Sequence, residues 1–234
     1  MYVSSSGLRA GAADYRWLLD RGYPETASLK LVGDRHRLDK EARLVLFRGV
    51  FAAEPSRRRA AAVSSDVAGR ALLVDGYNEL FTVTHYLAGR PVFLASDGLL
   101  RDAGAAHGRV SDPALFDRAG ELLVSSLARS GVREVLAWFD APVPFSAAHA
   151  FSFRDKLREA GIEGRAAVAR SADVPLKAAP PGSAVATSDS AVVDALLGRG
   201  GGEGGPVVYD AARAAIEAAF GRREWLDFRA ALGT

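Results

Sequence analysis

Apolar positions divide the chain into two parts with different periods. Up to about Val63 they recur at helical steps. Leu8, Ala12, Tyr15, Leu18 and Leu19 form one stripe, which Gly22 ends. Pro24 is placed to be the first residue of a second, short helix. Asp39 is placed to cap a third, whose apolar side is Ala42, Val45, Leu46, Gly49 and Val50. Glu54-Pro55-Ser56-Arg57-Arg58-Arg59 and the small residues after it read either as a linker or as a short solvated helix. Arg57–Arg59 are candidate phosphate contacts, with a solvated segment as the alternative.

From Ala71 the pattern becomes short apolar runs alternating with amphipathic stretches. The runs are Ala71–Val74, Pro91–Ala95, Val135–Phe139, Ala166–Ala169, Ala184–Thr187 and Val207–Tyr209. The helical stretches are Glu79–Leu87, Pro113–Ser130, Ala147–Ala160, Ser190–Leu197 and Ala211–Phe220. Strand–helix alternation predicts an α/β domain with a mostly parallel sheet flanked by helices. The expected organisation is therefore a helical N-terminal domain over residues 1–63 and an α/β domain over 64–234. Gly198–Gly205 lacks the Gly-Lys-Ser/Thr ending of a phosphate loop and precedes a strand, so it reads as a flexible loop.

Composition narrows the chemistry. With 234 residues the chain can bury a sizeable core, and it has no cysteine, which excludes disulfides, thiolate metal sites and cysteine nucleophiles. No apolar run approaches a bilayer span, and the first residues lack the order of a signal peptide, so a cytoplasmic protein away from membranes is expected. The formal charge of +2 neither demands nor forbids a nucleic-acid partner.

The strands end on aspartates. Leu72-Leu73-Val74 runs into Asp75, Leu136–Phe139 into Asp140, Val185–Ser188 into Asp189 and Val207–Tyr209 into Asp210. A parallel sheet brings its carboxyl ends to one edge, where open α/β sheets place ligands. Carboxylates gathered there repel one another unless a hard cation such as Mg²⁺ or Mn²⁺ neutralises them. Aspartate after a strand is also a turn former and helix cap, which is the default reading for any one of these residues and the one kept for Asp210.

The neighbours of these aspartates carry a resemblance. Asp75-Gly76-Tyr77-Asn78, Phe139-Asp140-Ala141, Ser171-Ala172-Asp173-Val174-Pro175-Leu176 and Ala186-Thr187-Ser188-Asp189-Ser190 resemble, in order, four motifs of the NYN branch of PIN-like nucleases. Arg21-Gly22-Tyr23-Pro24 and Ser28–Leu38 resemble an uncharacterised prokaryotic domain found fused to such nucleases. The resemblance implies a PIN-like Rossmannoid fold and metal-dependent hydrolysis of a phosphodiester, with RNA as the expected partner. It implies Asp75, Asp140, Asp173 and Asp189 as the catalytic acids. Asp75, Asp140 and Asp189 would be the metal ligands, with Asp194 filling in for an acid that the third motif lacks. Asn78 would bond a carboxylate or a substrate phosphate. Lys177, standing where an acid is usual, would suit phosphate better than metal.

Other residues take plainer readings. His107 lies in the polar segment Asp97–Arg109, read as a solvated loop or as a site loop in which His107 contacts phosphate or shuttles protons. Ser146 is placed to cap a helix, and His36 belongs to a surface charge network. Trp138, Phe139 and Trp225 read as packing aromatics, and His85 and His149 as structural.

Three functions remain open. They are a metal-dependent ribonuclease, a PIN-like module that binds RNA or a protein without cleavage, and a phosphatase using Asp75 as nucleophile. The third is disfavoured because Tyr77 stands where such enzymes want a second aspartate. The N-terminal helices are open to substrate binding, homodimer formation or covering the sheet.

Overall fold

A computed structural model describes residues 6–104, 108–198 and 204–233. Along the chain come α1 (Ser6–Leu19), α2 (Glu25–Arg35), α3 (Lys40–Gly49), α4 (Ala53–Ala62), β1 (Ala71–Asp75), α5 (Gly76–Leu87), β2 (Val92–Leu94) and β3 (Leu100–Asp102). They are followed by α6 (Pro113–Ser130), β4 (Glu134–Asp140), α7 (Ser146–Glu159), β5 (Gly164–Ala169), α8 (Asp173–Lys177) and β6 (Ala184–Ala186). The last are α9 (Ser190–Gly198), β7 (Val207–Tyr209), α10 (Ala211–Phe220), β8 (Leu226–Asp227) and α11 (Phe228–Leu232). The architecture is α/β, with a parallel five-stranded sheet flanked by helices and a helical N-terminal region. No helix among the described residues is long and apolar enough to cross a membrane.

The described residues form two compact units. One holds the chain up to Ala61 together with Gly89–Gly104 and the segment from Glu224 on. The other holds Ala62–Ala88 and the rest through Arg223. The first boundary lies where the sequence pattern changes. The two later segments correct the expected division, because they belong to the first unit rather than to the α/β unit.

The physical reason is packing. In the first unit the apolar stripe of α1 buries Leu8, Ala12 and Tyr15 against Val32, Val45 and Leu46, and Phe93 of β2 and Phe228 of α11 complete that core. Phe93 and Phe228 meet edge to face at 5.9 Å between centroids. Gly49 makes room for them, since a Cβ there would stand 2.7 Å from the Phe228 ring. β2 pairs antiparallel with β3 and parallel with β8, forming a separate three-stranded sheet.

Several expectations are settled in this unit. Asp39 caps α3 by accepting from Ala42 N at 2.8 Å. Pro24 sits one position earlier than expected, as the N-cap of α2. The candidate linker is α4, and it is not wholly solvated, because Ser56 and Arg59 are buried. The solvated-loop reading of Asp97–Arg109 is overturned for its first half. Asp97 is fully buried and takes both arms of Arg101, at 2.6 and 2.9 Å. Arg59 approaches the same carboxylate at 3.6 Å. Arg59 and Arg101 lie over Phe51, at 4.6 and 4.8 Å from its centroid. A fully paired charge tolerates burial that an isolated one does not. His107 lies outside the described residues. His36 bonds Asp14 at 2.8 Å, in a network that also includes Arg35.

In the second unit the strand order is β5-β4-β1-β6-β7, all parallel. The chain winds outward from β1 through β4 to β5, then returns beside β1 to lay down β6 and β7. The direction of winding therefore reverses between β1 and β6. α6 packs against α5, α7 and α10, α5 also meets α10, and α8 packs on β1 and α9. β1 is buried along its whole length, as a central parallel strand should be.

Candidate functional site at the carboxyl edge

In open α/β sheets, ligands bind outside the carboxyl ends of the strands at the point where the winding reverses. Here that point is flanked by the end of β1 and the end of β6, which carry Asp75 and Thr187-Ser188-Asp189.

Asp75 is 6 % exposed and caps α5, its Oδ1 accepting from Asn78 N at 3.3 Å. Thr187 donates its hydroxyl to Oδ2 at 3.1 Å. The helix can start immediately after the strand because position 76 is glycine. A Cβ there would come within 2.8 Å of the Phe139 ring. Burial pushes the Asp75 carboxyl up to about 7; its two hydrogen bonds oppose this, and the charges of Asp140 and Asp189 add to it.

Asp140 closes β4 half-buried, and its Oδ1 accepts from Ala172 N at 2.9 Å, which fixes the chain entering α8. Asp189 folds back on its own loop, its Oδ1 accepting from Ala191 N at 2.7 Å. Asn78 ties α5 to that loop, its Oδ1 accepting from Ser188 N at 2.8 Å and Ser188 Oγ at 2.9 Å. The Asn78 oxygen therefore serves the scaffold.

Asp173 is paired with Lys177 at 2.6 Å, one turn along α8. Asp194 lies on α9, partly exposed. Asp75, Asp140 and Asp189 thus share one electrostatic neighbourhood. Among the described residues, however, no group of three or more His, Asp or Glu side chains is gathered closely enough to hold a metal ion as it stands. In chemistry the donors are oxygen ligands of the kind Mg²⁺ or Mn²⁺ prefers, around a buried, charge-crowded carboxyl. Each is engaged in hydrogen bonds of its own.

Sequence reasoning missed Glu79. It stands one helical turn after Asp75, is 2 % exposed, and accepts from Ala212 N at 2.6 Å. Burial holds its carboxyl well above the ordinary range, and Asp210 and Asp75 add to this. Asp210 itself caps α10 through Arg213 N at 3.0 Å, as read from the sequence. From sequence Glu79 shows only as a glutamate in the first turn of the helix that Asp75 caps.

One further reading changes, that of Ser146 as a cap. Ser146 is the first residue of α7 and is buried; the cap position is Phe145, whose side chain makes no capping bond. His149 lines a groove of about 280 Å³ between α6 and α7 with Phe116, Asp117, Ser152 and Lys156. Its Nδ1 lies 2.9 Å from the hydroxyl of Tyr77, within the first motif. Phe139 is fully buried, as expected of a packing aromatic, while Trp138 and Trp225 are partly exposed.

Comparison with known proteins adds family membership. Residues 64–198, more than half of the chain, match the model described as Domain of unknown function (DUF5616). The chain belongs to that family. The DUF5616 match begins just after the first unit's N-terminal segment and includes Asp75, Asp140, Asp173 and Asp189. Residues 7–61 match a second model, Protein of unknown function (DUF434). The chain is also similar to the "Uncharacterized protein MJ0935" of Methanocaldococcus jannaschii, at 28 % identity over 182 residues, covering 77 % of this chain and 86 % of the relative. No solved structure matches the chain.

Proposed function

We propose that the carboxyl edge between β1 and β6 is the site of a metal-dependent ribonuclease, as the PIN-like resemblance of its four motifs implies. The observation that carries this reading is Asp75. It is buried at the reversal of the sheet, and the like charges of Asp140 and Asp189 act on it. A divalent cation bound there relieves the burial and the repulsion together.

Asp75, Asp140 and Asp189 would hold the ion. When bound, Mg²⁺ or Mn²⁺ supplies an activated water and neutralises charge developing on a phosphodiester. The chain's own residues prepare this. Thr187 orients Asp75, the backbone at Ala172 orients Asp140, and the Asn78–Ser188 bonds fix the loop carrying Asp189. Lys177 places a cation at the rim beside Asp173, where a substrate phosphate can meet it.

The same Lys177–Asp173 pair favours a second reading, a module that binds RNA without cutting it, because it neutralises the acid of the third motif. Cleavage of single-stranded RNA in Mn²⁺ separates the two. The first reading expects cleavage that Asp75→Asn abolishes while binding persists. Salt-dependent binding without turnover under any divalent ion supports the second. Cleavage undiminished in Asp75→Asn removes the proposed site.

A further inference from the structure

Phe145 breaks three local rules at once. It is a non-glycine residue with φ 64°, in the left-handed region. It occupies the N-cap of α7, where Ser, Thr, Asp or Asn would bond the first turn, and it makes no such bond. It is also 80 % exposed, the highest value among the large hydrophobic residues described. The left-handed backbone and the missing cap cost stability, and no packing of the ring offsets them. By contrast, exposed Trp17 and Phe151 each lie under an arginine, Arg21 at 3.6 Å and Arg154 at 4.5 Å.

The backbone at Phe145 is held where it is. Asp140 closes β4, Val143 N donates to Asp140 O at 3.2 Å, and Ser146 N donates to Val143 O at 3.1 Å. Two successive tight turns, stiffened by Pro142 and Pro144, thus carry the chain from Asp140 to Phe145. Phe145 O then accepts from His149 N at 3.0 Å, so the groove lined by Phe116 and His149 begins one turn further on. A strained, uncapped, exposed aromatic beside a candidate catalytic edge is the pattern expected where local stability is given up for binding.

We propose that Phe145 is a stacking platform for an unpaired base of single-stranded RNA, positioned next to the phosphate that the acidic edge would engage. The inference rests on the nuclease reading for its choice of ligand. Bases in single strands are free to stack on aromatic rings, and such stacking is largely tolerant of sequence.

The test uses the full chain with Asp75→Asn in every protein, so that cleavage does not deplete the probe. Binding of a fluorescein-labelled oligoadenylate is followed by anisotropy, and thermal stability is measured alongside. Phe145→Gly is expected to weaken binding about tenfold. It should leave the melting temperature unchanged or raise it, because glycine accepts both the left-handed conformation and the cap position. Phe145→Trp should retain binding. Equal affinity in the presence and absence of the ring overturns the proposal. So does a Phe145→Gly protein that loses binding only together with its fold, since the ring is then structural. Weakened binding in Phe145→Gly alongside a wild-type chain that cleaves no RNA supports the platform and rejects the nuclease. Cleavage by wild type with binding indifferent to Phe145 does the reverse.

Discussion

At Asp75 and Glu79 burial and like charge act in the same direction, so both acids hold protons more tightly folded than unfolded. The consequence for metal-free protein has a definite sign. Below the ordinary carboxylate values, near pH 4, both states are protonated and neither acid costs stability. As pH rises, the unfolded chain ionises first, and stability falls through the window that reaches about 7 at Asp75. Glu79→Gln keeps an acceptor for Ala212 N and removes one titrating group. In EDTA it is expected to match wild type at acid pH and to melt a few degrees higher at pH 8. Parallel melting curves across that range would show that Glu79 is not held protonated. Asp75, Asp140 and Asp189 were legible in the sequence because each ends an apolar run. Glu79 was not, because a glutamate early in a helix reads as solvent-facing until β7 and α10 are known to cover it. Phe145 was hidden too, since the left-handed backbone that exposes it is a property of the turn rather than of its residue type.

Elements were legible wherever one period ran long enough. α6 and α10 fall on the bounds that their apolar spacing predicts, Pro113–Ser130 and Ala211–Phe220. Short strands bearing charge were not. β3 carries Arg101 and Asp102 among its three residues, all buried, and polar composition made the segment look like a loop. What buries it is the ion pair with Asp97, a contact between side chains rather than a pattern along the chain. That pair also anchors α4 through Arg59. Asp97→Asn leaves Arg59 and Arg101 buried without their carboxylate, and a loss of roughly 3–5 kcal/mol is expected in chemical denaturation. A loss below about 1 kcal/mol, as for an exposed pair, would contradict this assignment.

For the whole molecule, strand–helix alternation was enough to predict the parallel sheet and the edge at which Asp75 and Asp140 end their strands. It could not say which sheet each strand joins. Phe93 reads as one more buried strand residue, and its packing against Phe228, with the pairing of β2 to β3 and β8, places β2 in the first unit. Nor could it give the order β5-β4-β1-β6-β7, which sets Asp75 and Asp189 on either side of the reversal. The central claim is that this edge takes a divalent cation, and anomalous diffraction from crystals soaked in Mn²⁺ tests it most directly. The account predicts a manganese peak within coordinating distance of Asp75 and of Asp140 or Asp189, absent from Asp75→Asn crystals. Manganese bound only elsewhere, or carboxylates at this edge left unliganded at saturating Mn²⁺, would contradict it.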